Sequence, residues 1–273
     1  MHCVRRLDHF GRLGFAAHGL VYLLVGWFAI RAAVGGGSPT DSKGALQNLV
    51  GGPLGTVLLL AIAGGLLCYA LFRLIEAGLD LENHGRGAKG LAVRGGIVIS
   101  ALLRVALAAY AVSLAAGVGF GGSGGGGAED WTAWLMAQPF GRWLVVAVGL
   151  GVLATGVMQL RIAWQASFMD SLELDSAHHS WVKPVGRIGF VARSVVFALI
   201  GAFLLSAGWF ADPNEAGGLD AALRKMQQQE QGPWLLGLVA VGLLLFGIYC
   251  FVEAAYRRIT SLDMVARLHA AAS

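Results

Sequence analysis

Charge is scarce in this chain: Asp, Glu, Lys and Arg supply 13% of its 273 residues, where a soluble domain carries roughly 25%. With 56% hydrophobic residues and a mean hydropathy of +0.67, it cannot clothe a folded core in polar surface, and it belongs in lipid. A concentrated basic block is also missing. The net charge is +4 and the pI about 9.2, but Lys and Arg are spread over the ends of apolar segments, which argues against nucleic acid as a partner. Cysteine is limited to Cys3, Cys68 and Cys250, without C-x-x-C spacing, so neither a disulfide framework nor a zinc site is indicated. H-E-x-x-H, G-x-S-x-G and the P-loop are absent. No nucleophile is assembled with a base, and the chain does not read as an enzyme or as the holder of a cofactor.

What is abundant is long apolar sequence. Crossing about 30 Å of hydrocarbon takes roughly 20 apolar residues, and six segments qualify: Leu13 to Val34, Pro53 to Leu79, Leu91 to Val118, Pro139 to Phe168, Ile188 to Phe210 and Pro233 to Ile259. The first, preceded by Arg5, Arg6 and Arg12, could pass for a signal peptide. Its residues recur near position 190, so it is read as a retained helix. Fourteen cations flank the side carrying both termini and five the other, with Arg104 inside a helix. By the positive-inside rule both termini are expected in the cytoplasm.

The segments repeat. Arg12-Leu-Gly-Phe-Ala-Ala-His18-Gly matches Arg187-Ile-Gly-Phe-Val-Ala-Arg193-Ser. In the middle unit Arg94-Gly95 is placed where His18-Gly19 and Arg193-Ser194 fall, with the preceding residues diverged. Each loop between paired helices then carries an acid, an apolar pair and a proline: Asp41, Ala45-Leu46, Pro53; Asp130, Trp134-Leu135, Pro139; Asp220, Ala222-Leu223, Pro233. Asp suits a helix N-cap and proline the first turn of the next helix. The expected fold is all-α, with six transmembrane helices as three two-helix repeats, residues 1–83, 84–170 and 171–273, in a pseudo-threefold arrangement.

With its Arg-x-Gly-Phe-x-Ala entries at Arg12 and Arg187, the Val21-Tyr22-Leu23-Leu24-Val25-Gly26-Trp27 run, Gly44-Ala45-Leu46 and Pro53-Leu54-Gly55, the chain resembles the bacterial membrane family of the domain of unknown function numbered twelve hundred and six. The resemblance covers nearly the whole chain. It implies a triplicated two-helix domain in the bacterial inner membrane and no particular activity.

Small residues four apart, Ala198, Ala202 and Ser206, and Ala109, Ser113 and Gly117, read as helix contact stripes. Arg104 lies about 20 Å into its span at 1.5 Å per residue, near the membrane middle. A charge there costs at least about 2.5 to 3.5 kcal/mol, so it is expected to face the bundle interior, either holding an anion or headgroup or pairing structurally. Its counterparts are taken as Phe28 and Phe203. Twenty residues beyond each proline stand Arg73, Gln159 and Glu253, expected at one depth as a cytoplasmic-side network with Glu76, or as an ordinary interfacial ion-pair cluster. His18, Arg94 and Arg193 are expected near the cytoplasmic start of the first helices, snorkelling to lipid phosphates or drawing anions to a mouth.

Asp170, Glu173, Asp175, His178 and His179 gather metal-ligand chemistry in one loop, but their spacing matches no recognised site, and a solvated loop is expected. Gly119-Phe-Gly-Gly-Ser-Gly124 satisfies G-x-G-x-x-G formally, yet it follows a membrane helix and not a strand, so it reads as flexible linker. Two functions follow. One is permeation or transport of an anion or small solute, since repeated helix pairs with polar residues at matching depth build interior sites. The other is an accessory subunit that binds membrane lipids or another membrane protein. Trp131, Trp134, Trp143, Trp209 and Trp234 serve as interfacial anchors in either case.

Overall fold

The computed structural model describes residues 2–35, 39–50, 53–79, 87–118, 127–172 and 176–257. Its long helices are α1 (His2–Ala33), α3 (Pro53–Leu79), α4 (Ala88–Ala115), α6 (Gly141–Gln165), α7 (Ser176–Phe210) and α9 (Gly232–Tyr256), and each contains a stretch long and apolar enough to cross a bilayer. Between the paired helices lie three short ones, α2 (Ser42–Gln47), α5 (Gly127–Met136) and α8 (Leu219–Gln227). The chain is thus a multi-pass membrane protein built of helix, short helix, helix.

The acidic starts of the short helices differ from expectation in two of three units. Asp41 caps α2, accepting a hydrogen bond from the Gly44 amide at 2.8 Å. Asp130 lies inside α5. Asp220 lies in the first turn of α8, where it pairs with Arg224 at 3.4 Å, and Gly218 takes the cap position. The apolar pairs behave alike at both ends of the chain: Ala45, Leu46, Ala222 and Leu223 are fully buried. Ala45, Leu46 and Leu223 join Val25, Ile62, Leu66, Ala108, Val196, Leu236 and Leu243 in one dry cluster, so α2 and α8 plug the end of the bundle opposite the termini. Gln227 of α8 donates to the Ala32 carbonyl at 3.0 Å and Gln47 of α2 to the Tyr110 hydroxyl at 2.6 Å, tying each plug to a neighbouring unit.

At the other end the units are stapled by arginine. Arg94 donates to the carbonyls of Ala77 and Gly78 at 2.6 and 3.2 Å, and Arg187 to those of Ala163 and Trp164 at 3.1 and 3.0 Å. Arg12 donates to Ala255 at 2.7 Å. The last carbonyls of a helix have no intrahelical partner and carry the negative end of its dipole, so a guanidinium from the next helix satisfies both needs.

These bonds correct the sequence register of the middle unit. Arg94 is the counterpart of Arg12 and Arg187, not of His18 and Arg193, and Arg94-Gly-Gly-Ile is its form of Arg-x-Gly-Phe. Ser100 therefore stands where His18 and Arg193 stand, and the counterparts of Arg104 are Tyr22 and Phe197, replacing Phe28 and Phe203. The second helices shift too. A side chain on Gly55, Gly141 or Gly232 would collide with a carbonyl at the end of the preceding short helix, that of Leu49, Leu135 or Gln227. These three glycines mark equivalent points, yet Pro53 and Pro139 precede theirs while Pro233 follows its own. Counting from proline thus misplaced the third unit by almost a turn. Arg73 corresponds to Gln159 and Cys250, and Glu253 corresponds to Glu76 and Ile162.

The packing follows chain order. Between units α3 lies on α4, α6 on α7 and α9 on α1; within units α1 lies on α3 and α7 on α9. A threefold arrangement would also need α4 on α6, and no comparable seam exists there among the described residues. Accordingly the spans in α4 and α6 are each only 22% buried, against 56% in α9.

Candidate functional site

The interior below the plug is not neutral. Arg104 stands at the centre of the candidate span Val93–Ala115. Its Nη1 donates to the Ser100 carbonyl at 2.8 Å and also to the Ser100 hydroxyl, one turn back on the same helix. The guanidinium then lies over the ring of Tyr69, 4.6 Å from its centroid. Tyr69 stacks on His18 with centroids 5.7 Å apart and planes 13° from parallel. His18 in turn meets the edge of Tyr22 at 4.9 Å. On the far side of Tyr22 sits Arg193, 5.3 Å from that ring, 4.3 Å from Phe246 and 5.4 Å from Phe197.

Arg104 and Arg193 are therefore joined through a frame of rings contributed by α1, α3 and α9. Contacts of this kind stabilise a desolvated cation by about 2 kcal/mol or more, but they leave its N–H donors unfilled, which an anion would fill. The Nε atoms of Arg104 and Arg193 are buried without a hydrogen-bond partner, as is Oε1 of Gln159. Neither arginine forms an ion pair with a described carboxylate. Arg73, 5.8 Å from the Tyr69 ring centroid, approaches from the end carrying the termini, and the charges of Arg104, Arg193 and Arg73 all act on His18.

Of the sequence-selected residues, His18, Arg73, Arg104 and Arg193 thus come together, and Arg94 does not, being engaged in its staple. The expected pairing of Arg73 with Glu253 is replaced: Glu253, 8% exposed, is bonded to Arg257 on its own helix, a turn nearer the terminal end than the position equivalent to Arg73. Arg257 is held in turn over the Phe15 ring at 4.8 Å. Gln159 lies on α6 with its free carbonyl oxygen buried and does not bridge the two. The Glu76 side chain lies outside the described residues.

A single 3-10 turn, Ser167–Ser171, buries Phe168 and Met169, and Phe168 stacks on Phe190 at 5.2 Å and meets Tyr249 at 5.1 Å. Asp170 is exposed, and Glu173, Asp175 and the His178 and His179 side chains lie outside the described residues, as does the Gly119–Gly124 run. Among the described residues no cluster of His, Cys, Asp and Glu could hold a metal ion.

Sequence reasoning missed the aromatic frame. Tyr22, Tyr69 and Phe246 looked like ordinary apolar-span residues. The available signal was register: once Arg94 is aligned with Arg12 and Arg187, Arg104 falls on the position of Tyr22 and Phe197, which lines the same interior.

Fold and site together define a multi-pass helical membrane protein with two guanidiniums and a histidine gathered around aromatic rings in its interior. The profile of the Domain of Unknown Function (DUF1206) family matches it three times, over residues 13–80, 95–166 and 188–257, and the chain belongs to that family. The three matches begin one residue after Arg12, Arg94 and Arg187, the same register that the staples define. The chain is similar to the Uncharacterized protein YxxB of Bacillus subtilis (strain 168), 35% identical over 257 residues, covering 93% of this chain and 92% of that protein. No solved structure matches the chain.

Proposed function

We propose that the protein binds an anion in the chamber bounded by Arg104, Arg193 and His18, and that its activity is the gated passage of that anion. The observation that carries this reading is the pair of buried guanidinium Nε atoms with no hydrogen-bond partner among the described residues. A buried donor left unmade costs about 1 to 3 kcal/mol, more when charged, and a fold that retains two beside one frame of rings gains most when an anion supplies the acceptors. Nearby Glu253 already has Arg257. The dry cluster beneath α2 and α8 speaks for gating over an open pore, because Leu46 and Leu223 leave no room for water at that end. By the cation bias of the flanks, the chamber faces the cytoplasm of the cell and the plug faces outward.

Cysteine accessibility tests this. In a background lacking Cys3, Cys68 and Cys250, Arg104→Cys is expected to react with a membrane-impermeant thiol reagent and Leu66→Cys to resist it. In reconstituted vesicles, anion flux is expected to fall about tenfold or more in Arg193→Gln, the loss of one charged hydrogen bond. A folded protein with Arg104→Cys protected and no flux would end the transport reading. It would favour the second, an accessory subunit, whose support is the exposed span of α4 and α6.

A further inference from the structure

We infer that the anion held in the chamber is amphiphilic, an acyl chain ending in a carboxylate or phosphate, and that it enters from the bilayer between α4 and α6. This rests on the anion-binding reading above and adds the substrate class and the route. The first and third units close their helix pairs at glycine notches: a side chain on Gly14 would strike Tyr69, one on Gly65 would strike Ala17, one on Gly189 would come 2.7 Å from the Phe246 backbone, and one on Gly242 would strike Ala192. In the corrected register the middle unit has the same notches, Gly96 and Gly151. Among the described residues nothing stands within 4 Å of the space a side chain would take at either. The partners they would meet, Thr155 and Ile99, are exposed, Ile99 at 62%.

Among the described residues the bundle therefore lacks one wall, in the unit whose first helix carries Arg104. The faces flanking the gap, Leu103 on α4 and Met158 on α6, are apolar and exposed, so a free inorganic anion would have to cross hydrocarbon to use it. A chain-bearing anion would not. Its tail would lie against Leu103 and Met158 while its headgroup met Arg104, with the buried Oε1 of Gln159 available to a protonated oxygen. Charge complementarity commits the gap to such an occupant, because a neutral helix in this place would leave Arg104 as poorly satisfied as it is now.

The probe is palmitate bearing a mid-chain diazirine, added at trace level to the full chain in phosphatidylcholine vesicles, with labelled peptides mapped after illumination. Label is expected to concentrate on α4 and α6 and to fall about tenfold with excess palmitate or in Arg104→Gln, the worth of one charged hydrogen bond. Gly151→Trp, which fills open space, is expected to abolish the focused label while leaving intact the stabilisation by inorganic phosphate seen as a rise in the thermal midpoint. Ile99→Trp serves as the second gap-filling variant. Label spread evenly over all lipid-facing helices and not competed would overturn lateral entry. If phosphate still stabilised the protein and Arg104→Gln removed that effect, the chamber would stand and only the route would fall. Loss of both effects would sink the two readings together. An intermolecular disulfide formed readily by Ile99→Cys would assign the face to a second copy and also overturn the proposal.

Discussion

Arg104 is expensive to keep. It sits at mid-span with one nitrogen bonded to Ser100, its face on Tyr69 and its Nε unmet. A side chain in that condition weakens the fold it occupies. Arg104→Met is therefore expected to raise the thermal midpoint in detergent, corresponding to about 1 to 3 kcal/mol from the unmet donor, while abolishing stabilisation by phosphate. Such opposite effects distinguish a binding residue from a structural one. The staple arginines should behave conventionally. Arg187→Ala removes two bonds to helix-end carbonyls, and a loss of about 1 kcal/mol is expected for this exposed side chain, with Arg187→Lys retaining part of it. Chemical denaturation of the two variants side by side checks this. Individual polar residues were easy to pick out of so apolar a sequence, since each is costly in lipid. Their partners were not, because a guanidinium on its long stem reaches past its own helix and what it meets depends on neighbouring helices.

At the scale of elements the informative comparison is between equivalent glycines. Gly65 is pressed against Ala17, whereas Gly151 faces open space. Gly65→Leu is expected to destabilise by 2 kcal/mol or more, in the range of overpacking at about 1 to 3 kcal/mol. Gly151→Leu should change stability by no more than about 0.5 kcal/mol, as a surface substitution does. Equal damage from both would mean that α4 and α6 are closed upon one another in the membrane. The short helices make a second comparison: Leu46→Ala should cost about 2 to 5 kcal/mol, as deletion of a fully buried leucine does, and should increase solute leak through reconstituted vesicles if the plug is the gate. The six spans and the three short helices were legible, because hydrophobic length and Ala-Leu pairs are local signals. Their register was only partly so. The motif at Arg94 had diverged around its glycine, and Pro233 follows its turn glycine where the other prolines precede theirs.

At the scale of the whole molecule the protein is three versions of one unit in which the symmetric parts hold the fold and the asymmetric parts make the site. The staples at Arg12, Arg94 and Arg187 and the seams between units are common property. The unmet arginines belong to the second and third units, His18 to the first, and the missing wall to the second alone. By itself the sequence determined that the chain is a multi-pass helical membrane protein of three repeats, because apolar length and internal similarity are properties of a linear string. It also determined that Arg104 must turn inward, since the cost of a charge in lipid holds whatever the packing. Only the tertiary structure decided what the inward side holds: rings from α1, α3 and α9 between two guanidiniums, Glu253 taken by Arg257, and α4 standing apart from α6. Those outcomes depend on helix separation, and helix separation is set by whether two notched faces meet, which spacing along one chain does not specify.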